Sequence, residues 1–125
     1  VRADWGQGGV EVGSAEALDA VLGTVRGLGE PTMVLLEEGP EGEGAWCVVG
    51  LGYPVAFLGW GRLRGASFHS VGFLPPLGGL SFSFKGRPLE VASEYAIPEA
   101  DALAAVREFF RTRARPTCVK WEEDR

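Results

Sequence analysis

TMVLLEEGPEGEGAWCVVGLGYPVAFLGW, residues 32–60, holds three apolar runs separated by two breaks. In the first, Thr32 to Glu37, the consecutive Met33, Val34, Leu35 and Leu36 leave no polar side. That is the signature of a strand buried on both faces. Ala45 to Leu51 and Val55 to Trp60 follow as two more strands. Between the first two lies Glu38 to Gly44, Glu-Gly-Pro-Glu-Gly-Glu-Gly, which reads as a solvated hairpin loop. Between the second and third there is only Gly52-Tyr53-Pro54. Gly tolerates a positive φ and Pro fixes its own, so this is a tight connection. Such short links cannot carry a crossover, so the meander is antiparallel.

Working outward, Gly9 to Val12 alternates and reads as an opening strand. Ser14 is then placed as an N-cap and Glu16 lies in the first turn, where the helix dipole favours an acid. Leu18, Val21, Leu22, Val25 and Leu28 recur at helical spacing, and Gly27, Gly29 and Pro31 stop that helix. On the other side, Gly61 to Gly65 turns the chain into a strand over Ser67 to Phe73. Leu80 to Lys85 alternates, with Leu80, Phe82 and Phe84 on one face and Ser81, Ser83 and Lys85 on the other. This predicts a half-buried antiparallel strand, which turns at Gly86-Arg87-Pro88 into Leu89 to Ala92. Pro98 is suited to the first position of a second helix. Leu103, Val106, Phe109 and Phe110 form its stripe, and Pro116 ends it. Thr117 to Trp121 reads as a last strand before an acidic tail. The order predicts an α+β fold: a mostly antiparallel meandering sheet with two helices packed on one face. At 125 residues the chain, 1–125, is one domain's worth of protein.

Composition narrows the function classes. The chain is 46% hydrophobic and 23% charged, which argues against intrinsic disorder. Its apolar runs are broken well short of the roughly 20 residues that a bilayer span needs, and no signal-peptide pattern opens it. No membrane association and a cytoplasmic location are therefore expected. The net charge of −5 is unevenly spread: residues 1–61 hold two bases and nine acids, whereas residues 62–125 hold ten bases and eight acids. An acidic chain is a poor nucleic-acid binder, because phosphate contacts need clustered cations. It is better matched to a basic protein partner.

Catalytic and cofactor chemistry find little support. His69 is the only histidine, and Ser67 and Ser70 lie beside it, but no third orienting group is evident. Cys47 and Cys118 read as buried reduced thiols, and two thiols with one histidine do not make a tetrahedral metal set. Gly59-Trp60-Gly61-Arg62-Leu63-Arg64-Gly65 lacks the spacing of a dinucleotide fingerprint and is followed by a strand, not a helix. No catalytic residues, metal or cofactor are expected.

Surface recognition is the better-supported class. Glu37, Glu38, Glu41 and Glu43 form one acidic cluster, and Glu122, Glu123 and Asp124 form another directly after Trp121. Trp46 and Trp60 lie near the first cluster on consecutive strands. Aromatic anchors ringed by acids suit a binder of a basic protein. The expected partner-binding residues are Glu37, Glu38, Glu41, Glu43, Trp46, Trp60, Glu122 and Glu123.

An ordered set of motifs adds to this reading. Asp4-Trp5 precedes the first strand and the Ser-capped helix, and Gly29-Glu30-Pro31-Thr32-Met33-Val34 leads into the next strand. Gly50-Leu51-Gly52, Ser70-Val71-Gly72 and Phe84-Lys85-Gly86 follow, then Ile97-Pro98 into a helix and Pro116-Thr117-Cys118-Val119-Lys120-Trp121. From about Asp4 to Glu123 the chain resembles the family called immunity protein one, of bacterial polymorphic toxin systems. The resemblance implies a small, non-catalytic α+β protein that binds and neutralises a cognate toxin in a 1:1 complex. It also implies a zinc-dependent, nucleic-acid (DNA cytosine) deaminase as the toxin, its cleft occluded by an acidic surface. The alternative is a small-ligand domain or enzyme, with a pocket between sheet and helices lined by Phe82, Phe84 and Trp60.

Overall fold

The structure of the protein, a computed structural model, describes residues 1–39, 44–76 and 78–124. The three deciding runs are strands β3 (Thr32–Glu37), β4 (Ala45–Leu51) and β5 (Val55–Arg62) at the centre of the sheet. Each is antiparallel to the next. On one flank lie β6 (Ser67–Ser70) and β10 (Trp121–Glu123), and on the other β1 (Arg2–Asp4) and β2 (Val10–Glu11), giving the order β10-β6-β5-β4-β3-β1-β2. β7 (Gly79–Phe84) touches β3 in parallel through Thr32 and Ser83 and forms a hairpin with β8 (Arg87–Ala92). β9 (Ile97–Pro98) pairs with the start of β5.

Helix α1 (Ala15–Arg26) begins as its sequence requires: the Ser14 side chain accepts a hydrogen bond from the Ala17 amide at 3.1 Å. Its Leu18, Leu22 and Val25 are buried with Val106 and Phe109 of α2 (Glu99–Thr112) in one core. The sheet contributes the alternate residues Val34 and Leu36, Cys47, Val49 and Leu51, and Ala56, Leu58 and Trp60 to that core. Both helices therefore cover one face, and the α+β expectation holds.

Several boundaries differ from the sequence reading. Two short strands, β1 and β9, were not expected; runs of three and two residues are too short to show a period. Pro98 ends β9 with an extended backbone, and the second helix starts at Glu99. That helix stops at Thr112 because Arg113 takes a left-handed conformation, φ 62°. The carboxylate of Glu108 then accepts from the amide and hydroxyl of Thr117 at 2.7 and 3.0 Å. This holds the following segment in a turn, so the last strand starts, not ends, at Trp121. Glu122 and Glu123 are thus strand residues instead of a tail. Cys47 is buried as expected, but Cys118 lies in that turn and is exposed.

Candidate functional site

The face of the sheet opposite the helices carries the other alternate residues, Met33, Leu35 and Glu37, then Trp46 and Val48, then Phe57. No helix covers it. The β7–β8 hairpin leans over one side, with Phe82 buried above Gly50 and packed edge-on against Tyr53 at 5.3 Å. Between hairpin and sheet runs an open apolar groove of about 380 Å³, closed on the hairpin side by Phe84, Leu89 and Val91. Among the described residues Glu37 is the only charged one that lines it.

Trp46 forms the wall of this groove, and two glycines make room for its ring. A Cβ on Gly61 would fall 2.6 Å from the ring's Cζ2, and one on Gly59 would fall 3.5 Å from its Cζ3. The indole therefore lies over bare backbone of β5. A ring fixed this way is pre-ordered for contact, since little side-chain freedom remains to be lost on binding.

Beyond the glycines the same face continues onto β6 and β10. Ser67 Oγ donates to Asp124 Oδ2 at 2.6 Å, and His69 Nδ1 lies 2.5 Å from Asp124 Oδ1. Desolvation disfavours the Asp124 charge, but the hydrogen bonds from Ser67 and His69 and the attraction of His69 outweigh it, holding this carboxyl below its ordinary value. An ionised carboxylate only accepts, so the imidazole donates from Nδ1. His69 stacks on Tyr95 at 3.9 Å. Its Nε2 is buried and has no hydrogen bond among the described residues, although Glu122 Oε1 stands 3.3 Å away. The orienting group not evident in the sequence is thus Asp124. It bridges the serine and the histidine instead of leaving the histidine as base to the serine, so the cluster ties β10 to β6 and does not form a nucleophile–base pair.

The expected partner-binding residues divide between the two faces. Glu37, Trp46 and Glu122 share the uncovered face. Trp60 does not: register places it opposite Cys47, and it is 8% exposed in the helix-side core, beside Phe68. Its Nε1 has no hydrogen-bond partner among the described residues. Glu123 is exposed and pairs across from Phe68, on the face away from Glu122. Glu38 is half-buried, and its carboxylate accepts from the Ala45 amide at 3.4 Å. Glu41 and Glu43 lie outside the described residues.

A pocket between sheet and helices lined by Phe82, Phe84 and Trp60 does not form: Phe82 and Phe84 belong to the hairpin side and Trp60 to the helix side. What the sequence reading missed is the contribution of Leu35, Val48, Leu89 and Val91 to a groove. The available signal was that the central runs are apolar on both faces, while two helices can cover only one. Among the described residues no group of three or more His, Cys, Asp or Glu side chains is placed to hold a metal ion.

No curated protein matches the chain. A family model does, that of immunity protein Imm1, over residues 6–123. The match runs from before the first helix through the last strand, and on that extent this chain belongs to the Imm1 family of immunity proteins.

Proposed function

We propose that this protein neutralises a cognate toxin by seating it on the uncovered face of the central sheet, with Trp46 as the anchor. An immunity protein has a toxin as its partner, and the question the geometry addresses is which surface meets it. The observation that carries the reading is the apolar groove of about 380 Å³, left open on the face opposite α1 and α2 and lined in part by Glu37. Apolar surface left open beside charged groups marks a binding site. A well-packed tryptophan within it is the residue type that dominates binding energy. Glu37, Glu122 and Asp124 on the same face supply negative potential, which accelerates encounter with a basic partner and selects it.

The toxin in this reading is a nucleic-acid deaminase, as the family resemblance implies. An enzyme that binds nucleic acid presents cations to phosphates, and acids on this face would occupy those cations and block the cleft. The protein itself performs no catalysis, forms a 1:1 complex and acts in the cytoplasm, where the toxin would meet its producer's own nucleic acid.

Capturing the partner from the native cell and assaying it tests this. The expected result is a basic domain that deaminates cytosine in single-stranded DNA and loses that activity on addition of one equivalent of this protein. A partner inhibited in some other activity would overturn the deaminase assignment. Failure to capture any partner whose activity this protein inhibits would overturn the immunity reading.

A further inference from the structure

Glu37 is half-buried, lines the apolar groove and has no ion-pair or hydrogen-bond partner for its carboxylate among the described residues. Arg2 of β1 stands opposite it in register but makes no ion pair with it; its guanidinium lies 3.5 Å from the Gly8 carbonyl. A carboxylate beside apolar surface with no cation from its own chain is open to a cation from a partner. Trp46 is the cross-strand neighbour of Glu37 on the other side. Its ring is pinned over Gly59 and Gly61, with its opposite side toward the groove.

We infer that Glu37 and Trp46 form a receptor for one arginine side chain of the toxin. Three features of the groove match three parts of that side chain. The guanidinium pairs with the Glu37 carboxylate in a two-pronged hydrogen bond. Its flat face stacks on the indole, an attraction that grows when water is excluded. The aliphatic stem lies along Leu35 and Val48, with Leu89 opposite. Lysine satisfies the charge but neither the fork nor the stacking. An all-apolar occupant would leave Glu37 buried without a partner. The arginine site rests on the reading of this face as the toxin interface and specifies the chemistry of its centre.

Two measurements test it. The first needs no toxin. The isotope-labelled protein is titrated with N-acetyl-arginine amide and with N-acetyl-citrulline amide, which has nearly the same shape without the charge. The arginine amide is expected to shift the Trp46 indole N–H and the methyls of Leu35 and Val48, with citrulline several-fold weaker. Glu37→Gln should erase the difference between the two. Equal shifts from both amides, or shifts confined to other surfaces, would overturn the site. The second uses the captured toxin, with variant folding checked by thermal melting. Glu37→Gln and Trp46→Leu are each expected to weaken binding by tenfold or more. If Val48→Arg abolishes binding while Glu37→Gln keeps it within twofold, the arginine site falls and the interface stands. If both variants bind as the wild type does, the interface reading falls with it.

Discussion

Gly61 shows how a residue with no side chain can set a binding surface. It is buried in β5 with ordinary strand geometry, and it matters because of what rests on it. In Gly61→Ala the new Cβ would start 2.6 Å from the Trp46 ring, and the ring must lift into the groove. Overpacking of this kind costs about 1–3 kcal/mol. Urea denaturation should show that loss of stability, and toxin binding should weaken at the same time because the anchor is displaced. The two cysteines give a second residue-scale contrast. Burial pushes the Cys47 thiol up to about 12, so it is not ionised at neutral pH and is shielded as well. Cys118 is exposed, although partial desolvation and the neighbouring Glu108 raise its pKa too. A disulfide-exchange reagent at pH 8 should titrate one thiol in the native protein, slowly, and two in denaturant. Two reacting natively would contradict the packing around β4.

At the scale of elements, the sequence was most readable where runs were long. The three central strands, the Ser14-capped helix and the alternating β7 all stand where pattern placed them. Legibility failed at the face assignment. Ala45 to Leu51 is apolar on both sides, so period two cannot say which side meets the helices. Trp46 and Trp60 look like neighbours in a list of strands, and only the pairing register, Trp46 with Gly61 and Cys47 with Trp60, sends them to opposite faces. The last strand was misplaced for another reason: the turn set by Arg113 and Glu108 depends on a side-chain contact nine residues away from Glu108, which local pattern does not encode. Once placed, β10 has a testable device. Asp124 gains hydrogen bonds from Ser67 and His69 that lower its pKa on folding. A carboxyl lowered in the folded state contributes stability above its unfolded value, about 3.9, and loses it as pH falls through the folded value. Asp124→Asn should therefore be less stable at pH 7 and should lose less than the wild type does on acidification from pH 5 to pH 2. Chemical denaturation across that range checks it. Parallel pH curves for the two proteins would mean that the carboxylate does not latch β10.

Across the whole molecule, the division of labour between the sheet's faces is the organising fact. Two helices and the core fill one side. The other is closed only in part, by the hairpin and by Tyr95 against His69, and Trp46 and Glu37 are left at the open groove. The ordered motifs carried the class of function, but they could not carry the surface. That surface exists only once register, glycine floor and hairpin are assembled. The most direct measurement compares toxin binding by two arginine substitutions on opposite sides, using calorimetry. Val48→Arg puts bulk and charge into the groove, while Ala104→Arg puts the same group on the exposed side of α2. If the uncovered sheet face is the interface, Val48→Arg loses measurable binding and Ala104→Arg binds one to one like the unmodified protein. Retained binding by Val48→Arg together with its loss in Ala104→Arg would place the toxin on the helices and contradict the account.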